Sequence, residues 1–171
     1  SVSLSATVES AISFAVDDTT IGFGTLDAAG ARWATGDTTG TSSLPGDTSG
    51  AHQMTLATNA ASGYSMTYNG ATLTSGGNTI DVATISEDDD GTPASEQFAL
   101  GLDDNGGNVT IVSDYDLATT NSYKFVASTT TTVASETAPT AIETFDVQYI
   151  ANISTVTEAG SYSTDITWIA T

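Results

Sequence analysis

Apolar and polar residues alternate from the first positions of the chain. Val2, Leu4, Ala6 and Val8 are separated by Ser3, Ser5 and Thr7, and the first charge is Glu9. A period of two gives an extended strand with one apolar and one polar face, which needs a partner along its edge and cover for its apolar side. The same period recurs downstream. Residues 10–16 and 20–26 are short apolar runs separated by Asp17 and Asp18. His52, Met54 and Leu56 share one face, and Tyr64, Met66 and Tyr68 share another. Residues 72–80 have the shape of a hairpin with Gly76 and Gly77 supplying positive φ, and residues 98–112 read as a second, turning at Asn105, Gly106 and Gly107. Residues 122–128 form another strand, followed by a Thr-rich segment over 128–141 that reads as an edge strand or a linker, with an ordered connection expected.

Near the end, Phe145, Val147, Tyr149, Ala151 and Ile153 point one way, as do Tyr162, Ile166 and Trp168. The connection at 155–160 predicts that these two runs form a long antiparallel hairpin. Residues 28–50 break the pattern, as does the acidic loop at 87–96. The 28–50 segment is too polar and Gly-rich for a core strand and reads as an extended surface loop with Trp33 as its one large anchor. The count comes to about nine to eleven short strands at about ten-residue spacing, the signature of a sandwich or barrel, of which the sandwich is the expectation here. The expected fold is all-β, an immunoglobulin-like or jelly-roll sandwich. Residues 1–10 form an N-terminal strand available for donation to a neighbour, and 11–171 form a single domain.

Charge narrows the partners. The chain carries 21 acidic residues against Arg32 and Lys124, a formal net charge of -19. Such a surface repels nucleic acid and anionic lipid. No long apolar run suggests membrane insertion. Cysteine is absent, which removes disulfide and thiolate chemistry. The chain opens on Ser1 with no charged and apolar leader, as expected of a secreted, cell-surface chain whose signal peptide has been removed.

The chemistry is sparse. His52 is the lone histidine and shares its face with Met54 and Leu56, and no G-x-S-x-G occurs, so no enzyme activity is expected. Hard oxygen ligands cluster on two tight loops: Asp88, Asp89 and Asp90 before Gly91, and Asp103, Asp104 and Asn105 before Gly106. Asp114 and Asp116 follow closely. Calcium is the cation such groups would take, although neither loop fits an EF-hand. No other cofactor is required. Asn108 and Asn152 each begin an N-glycosylation acceptor triplet.

Three stretches carry a resemblance: Phe23-Gly24-Thr25, the turn from Thr58 to Tyr64, and Ala159 to Trp168. Together they resemble secreted bacterial and archaeal surface sandwiches, namely WxL-type domains and fibre subunits that exchange a donor strand. The resemblance covers about half the chain and implies a surface or appendage protein, naming no catalytic residue. Trp168-Ile169-Ala170 stands where Trp-x-Leu would, so peptidoglycan binding is not carried over.

Two readings of function follow. In one, Val2, Leu4, Ala6 and Val8 fill a groove of the next copy, giving a head-to-tail homopolymer, the structural brick of an extracellular filament. In the other, the same strand opens a self-contained sandwich, and the protein is a monomeric secreted or wall-associated binding module.

Overall fold

In the computed structural model, residues 1–46, 50–85, 91–105 and 107–171 are described. Thirteen strand segments succeed one another: β1 (Ile12–Val16), β2 (Arg32–Trp33), β3 (His52–Thr58), β4 (Tyr64–Gly70), β5 (Thr74–Ser75), β6 (Asn78–Thr79), β7 (Thr84–Ile85), β8 (Gln97–Asp103), β9 (Thr110–Ile111), β10 (Tyr123–Lys124), β11 (Thr131–Glu136), β12 (Thr140–Asn152) and β13 (Ile166–Ala170). A 3-10 turn (Ser113–Tyr115) and a short helix α1 (Leu117–Thr120) lie between β9 and β10.

These segments form two main antiparallel sheets. The larger runs β1-β3-β12-β8-β10-β7, with β2 also pairing β12, and the smaller runs β13-β4-β11-β9. The expected sandwich is present. Alternation places its core: Met54 and Leu56 from β3, Tyr64, Met66 and Tyr68 from β4, and Phe145 and Val147 from β12 are buried between the sheets.

Several local expectations fail, each for a physical reason. Residues 98–112 are not a hairpin, because β8 pairs β12 and β10 while β9 pairs β11 in the other sheet. The runs at 143–153 and 161–170 are likewise unpaired with each other, since β13 bonds to β4. In both places the turn carries the chain across the sandwich instead of folding it back within a sheet. The short β5–β6 ribbon does form, but of its two glycines only Gly76 takes a positive φ, +61°. The Thr-rich connection contains the interior strand β11, flanked by β4 and β9.

The largest departure is at 28–50. Arg32 and Trp33 pair with Ala151 and Ile150, so β2 belongs to the larger sheet, and Trp33 is only 2% exposed. Its ring joins a second, smaller core on the outer face of that sheet, with Ala31, Ile85, Ala99, Leu117, Tyr123 and Ile150. The central strand β12 is therefore covered on both faces. The polar residues on its outer side are paired: the Tyr123 hydroxyl donates to Gln148 Oε1 at 2.6 Å, and Gln148 Nε2 donates to the Gly46 carbonyl at 2.7 Å.

Candidate functional site

Residues 1–10 take part in neither sheet. Every one of them is exposed, and Val2, Leu4 and Val8 keep 88, 93 and 85% of their surface in water. The strand that the alternation predicts has no strand partner among the described residues. Its root is nevertheless fixed. Asn59 donates through Nδ2 to the Glu9 carbonyl at 2.9 Å and accepts from the Ala11 amide at 2.7 Å. Thr58 Oγ1 donates to the Ala11 carbonyl at 2.8 Å. The turn that supplies both residues closes at Gly63, whose φ is +70° and whose missing Cβ would lie 2.0 Å from the Glu136 carbonyl oxygen, so only glycine fits.

At the other end of β1 the sandwich is open. A groove of about 960 Å3 lies between the edges of the two sheets, with His52, Phe98 and Tyr149 in its floor. One wall is residues 21–26, which extend the larger sheet beyond β1: Gly22 and Thr35 exchange backbone bonds at 3.0 and 2.9 Å. Arg32 stitches this wall, donating to the Phe23 carbonyl at 2.7 Å and the Thr39 carbonyl at 2.8 Å. Gly24, at φ +66°, admits the Thr39 carbonyl where a Cβ would stand 2.1 Å from its oxygen. The Asp37 carboxylate tightens the adjoining turn. It accepts from the hydroxyls of Thr35 and Thr39, which hold its pKa down to about 2. The opposite wall is Glu158–Trp168, leading into β13.

Phe23–Thr25 and Ala159–Trp168 are the two walls of the groove, and Thr58–Tyr64 grips the root of the arm.

Aromatic rings line the floor. Phe23 meets Phe98 edge-on with centroids 6.3 Å apart, and Trp168 packs against Tyr68 and His52 at 5.7 and 6.5 Å. His52 is 6% exposed; its Nε2 lies 3.0 Å from the Tyr149 hydroxyl, and its Nδ1 has no partner. Burial pushes the imidazole below its ordinary value, opposed by the Gln53 backbone and by Asp17 and Asp18. The folded domain therefore binds fewer protons at this ring than the unfolded chain. Stability should be full above about pH 6.5 and fall as pH drops below that value. Thermal melts between about pH 7.5 and 5.5, above the carboxylate range, should show this decline, and His52→Phe should flatten it. A wild-type melting temperature that stays level across the window would refute a neutral, buried His52.

The remaining sequence candidates disperse. Asp88, Asp89 and Asp90 lie outside the described residues. Asp103 is buried opposite Asp146 across the β8–β12 ladder. Asp146 accepts from Gln53 Nε2 at 2.9 Å and from Asn105 Nδ2, and the Asn105 amide bonds to Asp103 at 3.3 Å. The Asp104 carbonyl accepts from the Gly107 amide at 3.2 Å. Asp114 pairs with Lys124 at 2.6 Å, and Asp116 caps α1 through the Thr119 amide. Among the described residues no group of three or more His, Asp or Glu side chains is placed to hold a metal ion.

The two glycosylation triplets differ. Asn108 is exposed, but Asn152 is 1% exposed and its Nδ2 donates to Gln97 at 3.1 Å, so the folded domain leaves that amide no room for a glycan.

No protein-family model, curated protein or solved structure matches the chain. Among the described residues no helix is long and apolar enough to cross a membrane.

Proposed function

We propose that the protein is the structural subunit of an extracellular filament, built by donation of residues 1–9 of each copy into the groove of the next. The observation that carries this reading is the pairing of two unsatisfied apolar surfaces on one chain. An alternating arm stands in water, and a groove floored by aromatic rings lies open at the opposite end of β1. To fill its own groove the arm would have to double back along β1 immediately after the Asn59 grip. A second copy meets the same need without reversal. Donor and acceptor surfaces differ, so the contact does not close on itself and propagates head to tail.

Charge fits the assignment. In a chain of net charge -19, the arm carries Glu9 alone. The segment that enters the neighbour is thereby spared most of the mutual repulsion, and salt screens the rest. The subunit is a building block on this reading, working outside the cell and performing no reaction.

Electron microscopy of the purified chain at high concentration and moderate salt should reveal fibres. Leu4→Asp should abolish them, because a carboxylate forced into an apolar groove without a partner costs several kcal/mol, or about a hundredfold or more in affinity. A wild-type sample that stays as discrete particles under these conditions would sink the proposal.

A further inference from the structure

The groove has two edges to which an incoming strand could bond, and the hydrogen-bonding parity of the chain distinguishes them. Resting on the strand-donation reading, we infer that the arm of the neighbouring copy adds to the free edge of residues 162–170, antiparallel to β13, with even-numbered arm residues opposite even-numbered edge residues.

The parity comes from the bonds already made. Thr171 and Ser65 exchange backbone bonds at 3.0 and 2.7 Å, and β13 continues that antiparallel register along β4. Odd residues of β13 therefore bond inward to β4, and Ile166, Trp168 and Ala170 turn their amides and carbonyls to the empty side. The pattern extends upstream. Ser163 bonds through both backbone groups to Thr74 at 3.0 Å, which leaves Tyr162 and Thr164 facing out. Burial alternates without a break over the same stretch, with odd residues exposed and even residues half-buried from 161 to 171. Even residues from Tyr162 to Ala170 thus turn outward along an edge about 30 Å long, with β13 itself supplying Ile166, Trp168 and Ala170. That length suits a nine-residue arm.

The opposing edge is poorer. β1 bonds to β3 through its odd residues, since the Asn59 amide bonds to the Ala11 carbonyl and the Asp17 amide to the Gln53 carbonyl. Only Ile12, Phe14 and Val16 face its free side. The ladder then stops at Asp17 and Asp18, whose carboxylates cap the Gln53 and Thr20 amides. Beyond this turn the Phe23 carbonyl is already taken by Arg32. β1 also contributes only Val16 to the groove, whereas the other edge lines it from Glu158 to Trp168.

Direction follows from topology. β1 runs from the arm's root toward the groove. β3 returns, and the turn after Thr58 sends β4 the same way as β1, so β13 runs opposite to β1. In a head-to-tail stack the donated arm has the direction of its own β1, which is antiparallel to the acceptor's β13. Even arm residues then share a face with Ile166, Trp168 and Ala170, placing Val2, Leu4, Ala6 and Val8 in the groove. Odd residues form the closely spaced, non-hydrogen-bonded pairs on the outside, with Cα atoms about 4.5 Å apart, within disulfide reach.

The chain has no cysteine, so engineered pairs report cleanly. Ser5→Cys should be combined in turn with Asp165→Cys, Thr167→Cys and Ile169→Cys, which sample the three neighbouring registers, and with Ala15→Cys on β1. All of these positions are exposed, so folding should be untouched. After oxidation, one of the three β13 pairs should convert the monomer band into a ladder of covalent oligomers, while the Ala15 pair stays monomeric. Fibres whose only ladder comes from the Ala15 pair overturn the edge assignment and leave strand donation standing. Fibres that give no ladder with any pair overturn it as well. Absence of fibres in the wild-type chain overturns the strand-donation reading on which the assignment rests.

Discussion

Deletion of residues 1–9 should leave a folded domain that no longer polymerises, and a synthetic peptide of the same nine residues should bind it and raise its melting temperature. The first half of this result follows from the lack of contacts. The arm's large apolar residues keep 85–93% of their surface in water, and the grip on its root involves only the Glu9 carbonyl within the deleted stretch. Losing one exposed hydrogen bond costs about 1 kcal/mol or less, a shift of a few degrees at most in a domain of this size. The second half follows from what burial supplies. Fully burying Val2, Leu4 and Val8 is worth about 1.5–3 kcal/mol each, together about 5–9 kcal/mol, and a ladder of main-chain bonds adds to this. Association opposes it by at least about 4 kcal/mol. The net affinity of a free peptide is modest, yet peptide at about a hundred times its dissociation constant would add about 2.7 kcal/mol of stability, a rise of about 5–10 °C. Differential scanning fluorimetry with the peptide in excess, against a scrambled control, measures this directly. A truncated domain that unfolds or aggregates on its own would show that the arm belongs to its own sandwich. An unmoved melting temperature with saturating peptide would show that the groove takes something else.

The arm and the groove differ in how far the sequence discloses them. The arm is legible because its information is local: eight residues of period two, no charge before Glu9, and no turn residue to fold it back. The groove is assembled from residues 16, 18, 19, 21–26, 52, 73, 98, 149, 153, 157–166 and 168, which only the topology brings together. Alternation says which face of a strand is apolar. It does not say whether the next turn keeps the chain in the same sheet, because a Gly-rich connection serves a hairpin and a sheet-to-sheet crossing equally well. That is why residues 98–112 and 143–170 read as hairpins and are crossings. Reading 143–170 as a hairpin would also have paired β13 with β12 inside one sheet, leaving no groove edge to find.

The acidic loops show a second limit. Asp103, Asp146 and Glu143 look like surface charge in sequence but are buried at 4, 2 and 8% exposure. Glu143 accepts from the Tyr64 hydroxyl at 2.6 Å, joining the two sheets, and burial together with this carboxylate pushes the phenol pKa well up. Composition cannot separate a carboxylate held by protein donors from one free to bind a cation.

The segment 28–50 gives the second large effect. Trp33→Ala should destabilise the domain by about 3–5 kcal/mol, lowering the melting temperature by about 10 °C or more. In sequence the segment is dominated by Gly, Thr, Ser and Asp, and a two-residue strand leaves no period to detect. The available signal lay on its partner: β12 carries Ile150 on what a one-sided strand would make its wet face, and an apolar residue there calls for cover. Trp33 supplies that cover, packed on Ile150 and Tyr123, with its indole Nε1 donating to the Tyr123 hydroxyl at 3.3 Å. Truncation removes the ring from the smaller core and strips one donor from the chain of bonds that runs through Tyr123 and Gln148 to Gly46. Trp33→Phe separates the two contributions, since it keeps an apolar ring of smaller size and should cost less than half as much. The damage should also reach the groove. Trp33 lies next to Arg32, and Thr35 two residues on bonds to Gly22, so loosening β2 releases the wall at 21–26. Peptide binding by the Trp33→Ala variant of the truncated domain should therefore weaken along with its stability. An unfolding free energy from urea titration within about 1 kcal/mol of the parent would mean that residues 28–50 behave as the surface loop their composition suggests, and that the groove wall stands without them.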